Sequence, residues 1–204
     1  MNSTEMRVGI YGGTFSPPHI GHISAAKAFF CGMKLDKLYI IPAGIPPHKK
    51  INYPDNQEKR LKLCELSFSD IDGAEVSDIE LRREGKSYTV LTLRELARKD
   101  RELFLLCGTD MILTLDSWYC PEEIFKLCTP VCIRRENDSE TGLMLEEKLT
   151  LYKERYGVRI PIINVPAIEI SSSEVREKIR RGESVSGLVS LAAEKFIEAE
   201  GMYR

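Results

Sequence analysis

Histidine, tryptophan and long apolar runs are all scarce in this sequence: its 204 residues hold three histidines and one tryptophan. Charge of one sign is not in excess either, since 29 Lys+Arg stand against 31 Asp+Glu. That balance excludes a broad basic footprint for nucleic acid, although it leaves room for a local cationic site. No apolar stretch approaches the roughly 20 residues that cross a bilayer, and Met1–Arg7 lacks the apolar core of a secretion signal. A cytoplasmic protein without a membrane or nucleic-acid partner is expected. The cysteines Cys31, Cys64, Cys107, Cys120, Cys128 and Cys132 form no C-x-x-C pair and have no histidine near them. They read as small buried hydrophobes rather than metal ligands, and no protein-held metal is expected. Two familiar phosphate loops are missing as well. Gly85-Lys86-Ser87 would end a P-loop only with glycine at position 80, which is Glu80, and Gly12-Gly13 is followed by Thr14-Phe15-Ser16 instead of completing G-x-G-x-x-G.

Hydrophobic content of 43% with 29% charged residues describes a globular chain whose length suits one domain, residues 1–204. Short apolar runs at Arg7–Tyr11, Lys37–Ile41, Leu103–Cys107, Pro130–Ile133 and Ile160–Val165 predict buried strands. Helical patterns fall between and after them, at Gly21–Met33, Gln57–Ser69, Tyr88–Arg98, Pro121–Leu127, Leu143–Tyr156, Ser172–Arg181 and Leu188–Glu200. Strand–helix alternation with near-continuous apolar strands predicts an α/β fold with a mostly parallel sheet. The part from about residue 167 is expected to form a helical C-terminal subregion. Ile51–Asn56 and Glu136–Thr141 read as exposed loops.

In parallel sheets, ligands bind beyond the carboxyl ends of the strands. The segments leaving four predicted strands are accordingly informative: GGTFSPPHIGH from Gly12, PAGIPPHKK from Pro42, GTD from Gly108, and ISSSEVR from Ile170. Gly12 and Gly13 permit a tight exit from the first strand, and Pro17-Pro18 stiffens the approach to a helix. At that helix start, His19 and His22 flank Gly21, a residue with no side chain to obstruct a phosphate, and free amides add a positive dipole end. Ser171 and Glu174 have capping-box spacing, which predicts a second helix N-terminus. Ser172 and Ser173 would add hydroxyls there, and Arg176 a charged fork.

The run Gly12-Gly13-Thr14-Phe15-Ser16-Pro17-Pro18-His19-Ile20-Gly21-His22 resembles the GGTFDPxHxGH signature of the nucleotidylyltransferase superfamily. It also spells the HIGH motif of class I aminoacyl-tRNA synthetases, but the chain is too short for tRNA-binding domains and has no KMSKS. Ile170–Arg176 is similar to the ISSTxIR motif of adenylyltransferases, and Pro46-Pro47-His48-Lys49 resembles the PPHK segment of nicotinate mononucleotide adenylyltransferases. Further likeness to that family lies in Ser87-Tyr88-Thr89, Gly108-Thr109-Asp110, Trp118, Leu188-Val189 and Gly201-Met202-Tyr203. Three positions depart from it. Ser16 replaces the usual Asp and removes a carboxylate near the phosphates; Ser173 replaces Thr and keeps the hydroxyl; Ser190 replaces a Pro.

The resemblance implies a Rossmann-like, HUP-type nucleotidylyltransferase fold and the transfer of AMP from ATP to nicotinate mononucleotide, with Mg²⁺. Nicotinamide mononucleotide or another phosphate acceptor is the alternative, and a nucleotide sensor of the same fold a more distant one. The implied catalytic residues are His19, His22, Lys49 and Arg176. ATP contacts are implied for Gly12, Gly13, Thr14, Phe15, Gly108, Asp110, Ile170, Ser171, Ser172 and Ser173 besides the two histidines and Arg176. Mononucleotide contacts are implied for Thr14, His48, Lys49, Tyr88, Thr89, Trp118 and Tyr119. Trp118 would stack on the pyridine ring, with the backbone amides around it and around Tyr88-Thr89 meeting the carboxylate. From the residues alone, Asp110 serves equally as a ribose or metal-side contact and as an acid in the first turn of a helix.

Overall fold

A computed structural model describes residues 5–46, 56–135 and 142–204. His48, Lys49, the loop expected over 136–141 and all but Asn56 of the loop expected over 51–56 lie outside the described residues. In chain order the elements are β1 (Met6–Gly13), α1 (Ile20–Gly32), β2 (Lys37–Pro42), α2 (Gln57–Phe68), β3 (Ala74–Val76), α3 (Thr89–Leu96), β4 (Arg101–Gly108) and α4 (Thr109–Thr114). A 3-10 turn, Leu115–Ser117, follows, and then α5 (Pro121–Leu127), β5 (Thr129–Arg135), α6 (Gly142–Tyr156), β6 (Ile162–Val165), α7 (Ser172–Arg180) and α8 (Leu191–Ala199).

The six strands form one sheet in the order β3-β2-β1-β4-β5-β6, and every pairing is parallel. This is the Rossmann strand order, so the expected α/β architecture holds and the sheet is wholly rather than mostly parallel. Alternation along the strands supplies both faces. Val8, Ile10, Leu103, Leu105 and Cys107 join α3, α4, α5 and α6 in one core. Tyr11, Leu38, Ile40, Phe104, Leu106 and Val131 join α1 and α2 in the other. Burial on both sides explains why these strands read as continuous apolar runs.

Packing between β1 and its covering layer is tight. A Cβ at Gly9 would lie 2.4 Å from Leu35 Cδ1 and 2.9 Å from Phe29 Cε1, so the strand needs glycine there. A third cluster, built on Ile170, Val175, Val189, Ala193, Ile197 and Leu63, forms the helical C-terminal part. It is fastened to the start of α1 by the Ile20 amide, which donates to the Leu188 carbonyl at 2.9 Å. Ser190, where the resembled family has proline, caps α8: its hydroxyl accepts from the Ala193 amide at 3.2 Å.

Two elements were not expected from the sequence. β3 is only three residues long and lies at the sheet edge, partly exposed, so it shows no apolar run. α4 occupies six residues directly after β4, too few to display a helical period. No helix among the described residues is long and apolar enough to cross a membrane.

Candidate active site

The strand order reverses between β1 and β4, so the chain leaves these neighbours in opposite directions and opens a crevice at their carboxyl ends. The exit from β1 is shaped by Phe15, which holds φ at +49° and is fully buried. Side-chain packing sustains that left-handed backbone: its ring meets Tyr11 and His22 edge-on, each at 5.2 Å, and Phe68 at 5.6 Å. A Cβ at Gly13 would lie 2.8 Å from the same ring, which explains the second glycine. Beneath the loop, the fully buried Arg60 on α2 donates from Nη1 to the Thr14 carbonyl at 3.1 Å.

His19 is the N-cap of α1, and His22 occupies the third helical position. The His19 amide donates to His22 Nδ1 at 3.2 Å, which satisfies one of the orphan amide donors of the helix start. Because Nδ1 accepts, a neutral His22 carries its proton on Nε2. The two imidazoles lie 3.7 Å apart between centroids. A Cβ at Gly21 would stand 3.0 Å from the His19 ring, so the glycine between the histidines makes room for an imidazole as well as for a ligand. His19 is 5% exposed, and its Nδ1 has no hydrogen-bond partner. Burial, aided by the positive charge of Arg135, lowers its pKa to about 4, so it is neutral at pH 7.

This depression has a consequence for stability. The unfolded chain binds a proton at an ordinary histidine pKa that folded His19 refuses until about pH 4. The contribution is therefore complete above the unfolded pKa and is lost as pH falls through the folded one. Urea unfolding at pH 7 and pH 4.5 is expected to show a loss on the order of 2 kcal/mol from this residue. His19→Asn should lose less stability over the same interval; an identical loss would remove the assignment.

Across the crevice stands the N-terminus of α7. Ser171 is its cap, accepting from the Glu174 amide at 3.1 Å, as the spacing predicted. Ser172 and Arg176 turn toward the β1 loop. Ser172 Oγ donates to the Pro17 carbonyl at 2.8 Å, and Arg176 Nη1 donates to the Ser16 carbonyl at 2.6 Å. Arg176 Nη2 also donates to Ser173 Oγ at 3.0 Å. Residues foreseen only as ligand contacts thus also fasten the two motifs to each other. Ser16, in place of the family's Asp, is buried and 3.3 Å from the Tyr203 hydroxyl.

Both motifs line one cleft of about 720 Å³. Gly12, Gly13, Thr14, Phe15, His19 and His22 line one side, and Ile170 with Ser171, Ser172, Ser173 and Arg176 the other. Gly108 and Asp110 complete it at the end of β4. Asp110 lies in the first turn of α4, as one reading of this acid expected, and its Oδ1 stands 2.7 Å from where a Gly108 Cβ would be. Arg135 also lines the cleft and was not foreseen. It follows the Pro130–Ile133 run, whose exit, Arg134-Arg135, lacks the Gly, Pro or Ser pattern that marks the other strand ends.

Tyr88, Thr89, Trp118 and Tyr119 are not among the residues lining this cleft. They lie beyond the end of α4, where the Tyr88 and Tyr119 rings meet at 4.7 Å. Tyr88 caps α3, Tyr119 is 54% exposed, and Trp118 is partly buried against the core. Tyr152 and Lys148 of α6 hold the turn before Trp118: the Asp116 amide donates to the Tyr152 hydroxyl at 3.3 Å, and Lys148 pairs with the Asp116 carboxylate at 2.8 Å.

Among the described residues no group of three or more His, Cys, Asp or Glu could hold a metal. Among the described residues, Asp110 is the one carboxylate lining the cleft. That donor set fits an ion carried by phosphates, since Mg²⁺ is commonly held by one or two carboxylates together with substrate oxygens.

A family profile described as cytidylyltransferase-like matches residues 10–178. A Fusobacterium nucleatum protein named probable nicotinate-nucleotide adenylyltransferase is 37% identical over 198 residues, covering 96% of this chain and 98% of the relative. A protein of the same name from Thermoanaerobacter is 33% identical over 203 residues, covering 98% and 95%. In three dimensions the chain is similar to Plasmodium falciparum nicotinic acid mononucleotide adenylyltransferase complexed with NaAD, with a TM-score of 0.77, 16% identity and 97% of each chain covered. The last likeness is one of fold.

Proposed function

The chain belongs to the nicotinate-nucleotide adenylyltransferase family, and from that premise we propose that it transfers the AMP moiety of ATP to nicotinate mononucleotide, giving nicotinate adenine dinucleotide and pyrophosphate. The observation that carries the reading is the pairing of His19 and His22 at the start of α1 with Ser171–Ser173 and Arg176 at the start of α7, across one cleft at the switch point of the sheet.

The chemistry asks little of a base. The nucleophile is a phosphate oxygen of the mononucleotide, already ionised at neutral pH. It forms a bond to the α-phosphorus of ATP, and the bond from that phosphorus to the bridging oxygen of the β-phosphate breaks, releasing pyrophosphate. Rate enhancement then rests on alignment and on stabilising charge that grows on the α-phosphoryl oxygens and the leaving group. The His22 Nε2–H and the amides at the α1 N-terminus serve the α-phosphate. Arg176 and the α7 N-terminus, with the Ser172 and Ser173 hydroxyls, serve the β- and γ-phosphates. Neutral His19 keeps the rings from repelling each other at 3.7 Å.

Lys49 and His48 add positive charge to the phosphates in this reading, by sequence resemblance alone. Asp110 would hold Mg²⁺ carried in by ATP, and the ion would supply neutralisation of phosphate charge. The Thr89 and Tyr119 amides receive the carboxylate of the pyridine ring, and Trp118 stacks on that ring; the neighbouring Tyr88 and Trp118 amides donate within the chain, to the Lys86 carbonyl at 2.9 Å and the Leu115 carbonyl at 3.2 Å.

Pyrophosphate release measured with ATP and a panel of acceptors tests the reading. Nicotinate mononucleotide is expected to support turnover well above nicotinamide mononucleotide. A preference for the amide, or for a different phosphate, assigns the chain to a sister activity. ATP binding with no release for any acceptor leaves only a sensor.

A further inference from the structure

Beyond the residues assigned to substrates lies a buried carboxylate with no part in the chemistry. Glu80 is 7% exposed, in the segment between β3 and α3. It accepts from the Thr92 hydroxyl at 2.6 Å and from the Ser87 hydroxyl. Ser87 precedes the Tyr88 cap of α3, and Thr92 lies one turn inside the helix. One carboxylate therefore grips both sides of the α3 N-terminus.

The grip extends to β2. Ser87 Oγ accepts from the Gly44 amide at 2.9 Å, and the Ser87 amide donates to the Ile45 carbonyl at 2.8 Å. A Cβ at Gly44 would lie 2.4 Å from the Glu80 carbonyl oxygen, so this loop can press on Glu80 only as glycine. On the far side, Arg83 Nη1 donates to Thr92 Oγ1 at 3.1 Å and pairs with Glu95. Every donor in the chain points toward Glu80: Gly44 N–H to Ser87, Ser87 O–H to the carboxylate, Arg83 N–H to Thr92, and Thr92 O–H to the carboxylate. An ionised carboxylate, which only accepts, is the one terminus that satisfies both hydroxyls. Burial raises the carboxyl pKa, and the Thr92 and Ser87 hydrogen bonds oppose that shift.

We propose that Glu80 is a positioning residue for the mononucleotide, fixing the Thr89 amide at the start of α3 against the loop that leaves β2. The proposal rests on the functional reading above, in which that amide receives the pyridine carboxylate. Holding a helix start from two sides matters for recognition because misplacement of a donor by about 1 Å is costly. Asparagine or glutamine at this position would turn an amide N–H toward hydroxyls already committed as donors.

The test compares KM for nicotinate mononucleotide with KM for ATP in the full-length protein. Glu80→Gln and Ser87→Ala are each expected to raise the first about tenfold relative to the second, the scale of one hydrogen bond. Leu96→Ala, a buried change on α3 outside the network, is expected to lower the melting temperature without moving that ratio. Should Glu80→Gln fail to fold, Ser87→Ala carries the test. An unmoved ratio in the folded variants, or the same change in Leu96→Ala, overturns the proposal alone. Failure of the unmodified protein to use nicotinate mononucleotide overturns it together with the functional reading.

Discussion

Replacing His22 by alanine is expected to lower kcat by about 10²–10³, the usual loss when one preorganised donor at a developing charge is removed. Two roles of His22 must be separated in reading that result. Its Nδ1 accepts the His19 amide and so helps to cap α1, while in the proposed reading Nε2–H serves the α-phosphate. Loss of a cap costs about 1 kcal/mol in stability, which a melting curve registers independently of turnover. His22→Gln divides the two, because glutamine at the third helical position can still accept from the cap amide. The expected pattern is near-normal stability for His22→Gln with kcat still far below the unmodified protein. Turnover close to normal in His22→Ala, with the fold retained, would remove His22 from the chemistry.

How much of this site could be read in the residues depends on how locally each part is encoded. The β1 loop and the Ser171 cap were legible because a strand end, glycines and a capping box are short-range signals. The double use of Ser172 and Arg176 was not, since Pro17 and Ser16, their carbonyl partners, are remote in sequence. Arg60 reads as one more charge on the helix QEKRLKLC, yet it is fully buried under Thr14; only the packing of α2 beneath the loop gives it that role. Glu80 likewise looks like a solvated charge in ELRREGK until Ser87 and Thr92 fold around it. Edge strand β3 and short α4 escaped because three and six residues are too few to carry a period.

Substitution of Arg176 by lysine is expected to be nearly as damaging as substitution by alanine. The guanidinium donates along two directions at once, to the Ser16 carbonyl at 2.6 Å and to Ser173 Oγ at 3.0 Å. A planar fork can hold such partners and still present N–H groups to phosphate oxygens; a lysine ammonium is a single point charge on a flexible stem. Hydrogen bonds to charged groups contribute about 1.5–3 kcal/mol each, so losing one or two at the β- and γ-phosphates corresponds to roughly 10²–10³ in kcat/KM for ATP. The loss should fall on ATP, with KM for nicotinate mononucleotide changing little, because Arg176 is on α7, whereas the Tyr88–Thr89 and Trp118–Tyr119 region lies beyond α4. Lysine should restore at most about tenfold over alanine, the part due to charge without the fork. Full activity of Arg176→Lys would mean that charge alone suffices. An equal loss for both substrates would mean that Arg176 acts mainly by fastening α7 to the Ser16 carbonyl, with its effect on ATP only secondary.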